Sequence, residues 1–498
     1  MNILLVSPET PPTFWSFRHV LPLASRKSAF PPLGLLTVAA MLPREWSLRL
    51  VDLDVAPLHD KDIDWADAVF LSGMIVHQES CHAIAFRCAG RNVPVLAGGP
   101  LFTTGHDQFP QIPHFVLGEA EDVMNQVVED LRGRALKRVY QSERRPDLAR
   151  TPIPRWDLID FRDYAMASVQ FSRGCPFDCE FCDIVALYGR QPRVKSPDQV
   201  VWELDALVDA GWDGAIFIVD DNFIGHRAKA KALLCRLIDW RRQRRIRLPF
   251  TTEASLNLVD DPELLDLMVR AGFKRVFVGI ETPVPESLLE CGKHANTGRD
   301  LTAAVKVIQN AGIEVMAGFI VGFDHDQPNV FARQHDFIQQ SGIGVAMVGL
   351  LTALPKTRLF TRLSAEGRVL RTTTGNNVDG DLNFRPRLDP RVLLGGYRAL
   401  VNELYAPAVY YRRILNFLRQ YRIRGPRTAL SRSDLAAFFR SLWLLGVRTR
   451  GRRAYWSFFL RALLRPRKFP QAMNLAILGH HFRQVAAAIR PEAPDRVS

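Results

Sequence analysis

Short apolar segments that close on glycine or aspartate, each followed by a stretch of helical period, recur along most of this chain. They restrict it to a parallel α/β architecture. In the first part, Ile3–Val6, Leu48–Val51, Ala68–Leu71, Val93–Ala97 and Phe115–Leu117 read as strands, with helices over Leu33–Leu42, opened by Pro31-Pro32, and Val123–Leu131. The strands end in Asp52, Ser72-Gly73, Gly98-Gly99-Pro100 and Gly118-Glu119. This predicts a doubly wound parallel sheet over residues 1–140, with any ligand lying beyond the C-terminal strand ends.

The pattern lapses over residues 141–165, where Ser142 to Pro146 and Thr151-Pro152-Ile153-Pro154 read as a linker. A second run follows over 166–360, with strands expected at Ser168–Phe171, Ala215–Val219, Arg247–Thr251, Arg275–Ile280, Glu314–Ile320 and Val345–Leu350. Helices lie between them, for example Pro197–Ala210 and Pro262–Ala271. Six such units suit a partial (β/α)6 barrel with its site on the C-terminal loops. Residues 361–498 read as mostly helical and basic.

The bulk numbers exclude several classes. A 498-residue chain that is 47% hydrophobic and 23% charged is neither disordered nor fibrous. Met1 to Val6 lacks the pattern of a signal peptide, and the longest apolar run, Gly342 to Leu354, is too short to span a bilayer. Seven cysteines, an odd number, fit a reducing compartment, so a cytoplasmic location is expected. The net charge of +13 is local: Tyr405 to Lys468 holds 16 Lys plus Arg against one acid, Asp434.

The chemistry is concentrated in Cys175-x3-Cys179-x2-Cys182, in a loop that opens with Arg173-Gly174 directly after the first barrel strand. Three thiolates can ligate three irons of a cubane and leave the fourth open, whereas electron-transfer clusters use four. A structural zinc site would need a nearby fourth Cys or His, and this loop offers none. Cys81, Cys88, Cys235 and Cys291 read as core residues.

The triplet after a first barrel strand resembles the radical S-adenosylmethionine (SAM) superfamily. The resemblance implies a [4Fe–4S] cluster on Cys175, Cys179 and Cys182, and SAM contacts from Asp221 and Asn222 after the second strand and Glu253 and Ser255 after the third. It also implies contacts from Glu281 after the fourth strand and from Gly318 and Ile320 on the fifth, where adenine stacks. The family's Gly-Gly-Glu is replaced by Asp220-Asp221-Asn222-Phe223, as in its cobalamin-associated branch. The first domain looks like the cobalamin-binding, Rossmann-like domain of that branch, with Leu33, Gly34, Asp52, Ser72, Gly73, Met74, Gly98, Gly99, Gly118 and Glu119 as the implied contacts. No Asp-x-His-x-x-Gly supplies an imidazole to cobalt, Leu101 stands where relatives often have His, and His77 and His82 read as packed or solvated.

Over nearly the whole chain this order resembles the cobalamin-dependent radical SAM methylases, and among them the hopanoid C-2 methylase group. The resemblance implies C-methylation of an unactivated carbon in a hydrophobic substrate, with a flavodoxin- or ferredoxin-type electron donor. Non-methylating corrinoid chemistry such as ring formation, and modification of tRNA or protein, remain alternatives. The basic tail, with stripes such as Tyr410, Ile414, Phe417, Leu418 and Phe438, Phe439, Leu442, Trp443, Leu445, reads equally as a peripheral contact with the inner face of an anionic membrane or as helices packed on the barrel. No nucleic-acid-binding module is visible.

Overall fold

The computed structural model describes residues 1–376, 378–426 and 432–489. Arg427 of the basic stretch and the end of the 361–498 region therefore lie outside the described residues. The N-terminal sheet contains β1 (Asn2–Ser7), β2 (Ser47–Asp52), β3 (Ala68–Ser72), β4 (Val95–Gly98), β5 (His114–Leu117) and β6 (Val139–Gln141), all parallel, in the order β2-β1-β3-β4-β5-β6. Helices cover both faces, so the central strands are apolar throughout. Leu4, Val6, Val69 and Leu71 pack with Cys81, Ile84 and Cys88 of the Gln78–Ala89 helix. Ile3, Leu5, Ala68 and Phe70 pack on the other side with Leu35 and Val127. The three-residue β6 was not anticipated. It is held by Tyr140, whose hydroxyl donates to Asp130 at 2.7 Å.

The second sheet runs β7 (Met166–Val169), β10 (Ala215–Ile218), β11 (Phe250–Glu253), β12 (Phe273–Glu281), β13 (Glu314–Val321) and β14 (Val345–Leu350), paired in parallel in chain order as a partial barrel requires. Between β7 and β10 a small antiparallel pair, β8 (Ser172–Arg173) and β9 (Arg193–Val194), brackets the cysteine loop. The third barrel strand begins at Phe250 rather than Arg247, because Pro249 has no N–H to give the ladder.

The C-terminal helices close the barrel's open side. The Tyr405 hydroxyl donates to Ala346 O at 2.7 Å and accepts from Ala346 N at 3.1 Å, occupying backbone groups on the last strand, β14. In the Pro407–Gln420 helix, Tyr410, Ile414, Phe417 and Leu418 are all buried, so this stripe packs on the barrel. In the Arg432–Trp443 helix, by contrast, Phe439 and Trp443 are exposed.

The two sheets present their C-terminal strand ends to each other. Glu119, after β5, receives Arg173 and Arg193 of the β8–β9 pair at 2.6 Å each, and Arg173 also reaches Glu121 at 2.8 Å. The Glu119 side chain is only 4% exposed, so its charge depends on those guanidinium groups. Glu119→Ala is expected to cost about 3 kcal/mol, the low end for a broken buried pair, because both arginines are only partly buried and Arg173 keeps Glu121. The loss should appear in urea denaturation, with faster tryptic cleavage in the 141–165 linker.

Candidate functional site

The cysteine loop is set by its neighbours before any ligand arrives. Asp220, fully buried after β10, accepts from Phe171 N at 2.8 Å and from the Ser172 hydroxyl at 2.7 Å. Gly174 has φ +94° and lies so close to the 188–191 turn that an added Cβ would stand 2.8 Å from Gly189 O. Cys175 N donates to Gly189 O and Cys182 N to Cys179 O, which fixes the backbone at both ends of the triplet. Burial raises the thiol pKa of all three, while the Lys293 ammonium acts against that rise. Among the described residues no group of three or more His, Cys, Asp and Glu stands at single-ion spacing. A cubane takes each thiolate on a separate iron, so three thiols from one loop fit the cluster and leave its fourth iron open.

The residues expected to contact SAM converge beside this loop. Asn222 donates from Nδ2 to Ser255 Oγ at 3.2 Å, accepts from Ser255 N at 3.2 Å, and lies 3.8 Å from Cys175 Sγ. Asp221 accepts from Gly174 N at 3.3 Å, and burial pushes its carboxyl up to about 7. Glu253 ends β11 and is pushed up to about 8, first by burial and then by the Asp221 charge. Glu281 sits at φ +67° and accepts from Lys293 Nζ at 2.8 Å. A side chain at Gly279 would collide with the Glu281 carboxylate and come within 2.7 Å of the Lys293 ammonium. Gly318 pairs with Gly279 across the sheet, and an added Cβ there would press on the Phe277 ring at 3.0 Å. The Ile320 carbonyl is taken by Gln334 at 2.7 Å, and its side chain packs with the apolar cluster of Cys291, Phe323 and Leu351.

Lys293 is the residue that sequence reasoning missed. Burial opposes its charge, but Glu281 and the Cys179 and Cys182 thiols raise its pKa, so it stands as a fixed cation beside the triplet. Only its place twelve positions after Glu281 could have marked it, and no spacing rule does so.

In the first domain, Ser72, Gly73, Gly98 and Gly99 form a tight floor. A Cβ at Gly99, where φ is +95°, would stand 2.9 Å from Ser72 Oγ, and Gly73 N donates to Gly98 O. Gly34 and Gly118 have open space where a Cβ would be, and Met74 is exposed, so this face can receive a flat macrocycle. Leu33 begins the helix that carries Gly34. Two expected contacts are already engaged. Glu119 is consumed by the arginine clamp, and Asp52 accepts from the Tyr164 hydroxyl at 3.0 Å, its carboxyl pushed up to about 7 by burial and by Asp54. In this structure Glu119 thus joins the two sheets, and Asp52 holds the 141–165 segment against the first domain. Cys235 is exposed and not in the core, whereas Cys81, Cys88 and Cys291 are buried.

His77 Nδ1 accepts from Met74 N at 3.2 Å and its Nε2 faces the Thr10 hydroxyl, with burial pulling its pKa down to about 4. His82 stacks on Phe109 at 4.1 Å. Leu101 is buried.

A family model described as the radical SAM superfamily matches residues 169–333, one described as a B12 binding domain matches 20–128, and one described as a domain of unknown function, DUF4070, matches 357–494. The hopanoid C-2 methylase of Rhodopseudomonas palustris is 36% identical over 96% of this chain and 92% of its own length. The chain belongs to the cobalamin-binding radical SAM methyltransferases. An uncharacterized methyltransferase of Synechocystis is 38% identical over 100% of this chain and 94% of its own. Among solved structures, the radical SAM methyltransferase TsrM of Kitasatospora setae, with cobalamin and a [4Fe–4S] cluster bound, shares the fold at TM-score 0.60 and 16% identity, covering 98% of this chain and 99% of its own. The cobalamin-dependent radical enzyme OxsB does so at TM-score 0.63 and 14% identity, covering 98% of this chain and 80% of its own. The cofactors of this radical SAM methyltransferase are therefore SAM, a [4Fe–4S] cluster and cobalamin.

Cys179→Ala should leave reconstituted protein without the cluster's visible absorbance and without 5′-deoxyadenosine production under reductant. Full SAM cleavage by that variant would remove the triplet from the mechanism. Because both His77 nitrogens are engaged, the Co(II) EPR spectrum of cobalamin-loaded enzyme should carry no nitrogen superhyperfine splitting from an axial histidine. A triplet splitting lost in His77→Ala would contradict this.

Proposed function

We propose that this radical SAM methyltransferase transfers a methyl group to an unactivated carbon of a hopanoid-like lipid, working at the cytoplasmic face of a membrane. The observation that carries the reading is similarity to a hopanoid C-2 methylase through all three regions of the chain, including the C-terminal one. Bound, the cofactors would supply a carbon radical derived from SAM and a methyl group carried on cobalt.

The chain's own residues prepare the ground for that chemistry. Cys175, Cys179 and Cys182 would hold the cluster in a loop pre-set by Asp220 and Gly174. Asn222, Ser255 and Glu253, close to the loop and linked by hydrogen bonds between the first two, are placed to grip the polar end of SAM. Gly279 and Gly318 keep the inner wall low enough for its adenosine. The arginine clamp holds the two sets of strand ends face to face, so that a corrinoid on the first and SAM at the second would meet one substrate carbon. Deeper in the barrel Trp15 packs on Phe277 at 5.1 Å and stacks on Phe217 at 6.2 Å, which keeps water from the radical chemistry and suits an apolar substrate. A flavodoxin- or ferredoxin-type protein would deliver the electron.

The test is anaerobic turnover of the holoenzyme with SAM, a low-potential reductant and a pentacyclic triterpene hydrocarbon. One added methyl group in the triterpene by mass spectrometry is expected. SAM cleavage without lipid methylation, together with methylation of tRNA or protein, would replace the reading.

A further inference from the structure

The Arg432–Trp443 helix carries Leu435, Phe439 and Trp443 at every fourth position, and Val447 continues the stripe into the next turn. All four are exposed, Phe439 by 64% and Trp443 by 65%. The following helix, Arg452–Leu463, turns Tyr455, Phe458 and Ala462 inward and leaves Leu460, Leu463 and the adjoining Leu464 outside, the last 83% exposed. Trp456 ties the second helix to the first segment, its indole N–H donating to Gly446 O at 2.9 Å. Residues of this size are normally buried, and here the same helices already supply their inward faces to the core.

The surroundings of this apolar surface are cationic. Arg448, Arg450, Arg452, Arg453, Arg461 and Arg467 are exposed around it, and Asp434 is the single acid between Tyr405 and Lys468. A second copy of the chain is a poor occupant, because joining two such faces would bring like charges together. The helices are also too short to cross a bilayer, and no described helix is long and apolar enough to do so. An apolar stripe of this kind with an arginine rim matches the boundary between headgroups and acyl chains in an anionic leaflet, with Trp443 and Trp456 at the level where indoles concentrate.

We propose that these two helices form a monolayer-docking element that inserts Phe439, Trp443 and Leu464 into an anionic membrane surface. The element is rigidly joined to the enzyme. Arg440, on the docking helix, donates to Leu23 O at 2.9 Å and to Ser25 Oγ at 2.6 Å, fastening it to the Leu21–Ala24 turn. The turn belongs to the N-terminal segment that carries Trp15 into the barrel, so docking orients the catalytic body relative to the membrane plane. The inference rests on the lipid-substrate reading only for why an enzyme would need such a surface.

The test is co-sedimentation of full-length holoenzyme with vesicles of phosphatidylglycerol and phosphatidylcholine, against phosphatidylcholine alone, with tryptophan emission read in parallel. Wild type should bind the anionic vesicles with a blue shift that persists in part at high salt. Phe439→Ser, Trp443→Ser and Leu464→Ser combined should lower binding by roughly ten-fold or more and abolish the salt-resistant part. SAM cleavage without substrate should be unchanged in that variant, which also reports that it is folded. Wild-type protein that ignores anionic vesicles, binding that survives in the triple variant, or a wild-type dimer that the triple variant dissolves would each overturn the proposal. Vesicle binding without triterpene methylation would count against the substrate reading and leave the docking surface standing.

Discussion

The contact on which this architecture depends is a carboxylate at the end of one sheet held by two arginines from the mouth of the other. Glu119 is nearly dry and its partners Arg173 and Arg193 are largely covered, so separating the domains would leave the carboxylate without its counter-ions. The consequence is geometric. Ligands in parallel α/β sheets lie beyond the C-terminal strand ends, and the clamp makes the two sets of strand ends face one another. Lys356 supports the same closure from the far side, donating to Thr103 O at 2.6 Å across the interface.

A second layer of order lies within the cysteine loop. Asp220 spends its carboxylate on Phe171 N and the Ser172 hydroxyl, Asp221 on Gly174 N, and Asn222 on Ser255. Three successive residues after one strand thus fix the loop, its glycine and the next strand's end. This accounts for a departure from the family's Gly-Gly-Glu: side chains here do positioning that a bare backbone would leave open. Lys293 then adds a permanent positive charge beside thiolates that burial would otherwise disfavour.

Much of this was legible in the residues alone. Parallel strands buried on both faces leave continuous apolar runs, and the glycines and acids that close them mark the functional end of each sheet. The cysteine spacing fixes its own chemistry because few ligands want three thiolates from one loop. What stayed hidden involves distance in the chain. Glu119 meets arginines 54 and 74 positions away, so its local setting, a Gly-Glu after a strand, reads as a ligand contact. Lys293 has the same difficulty. The apolar stripes of the tail could not be sorted by period, since a buried stripe and a membrane-facing one have identical spacing. Only packing separates Ile414 and Phe417 from Phe439 and Trp443. Pro249 was a readable signal that the expected strand boundary at Arg247 overlooked.

The double hydrogen bond from the Tyr405 hydroxyl to Ala346 bears on how the chain is made. A parallel strand at the rim of a sheet offers unpaired backbone groups to any other extended segment nearby. In this protein the backbone groups of Ala346 on β14 are covered by a phenol, and helices encoded after the strand pack beside it, Phe469–Ala488 among them. The strand is thus made before the helices that cover it, and until they follow, its edge is open to any extended partner. The C-terminal region thus shields an edge that would otherwise template pairing, a duty independent of any substrate.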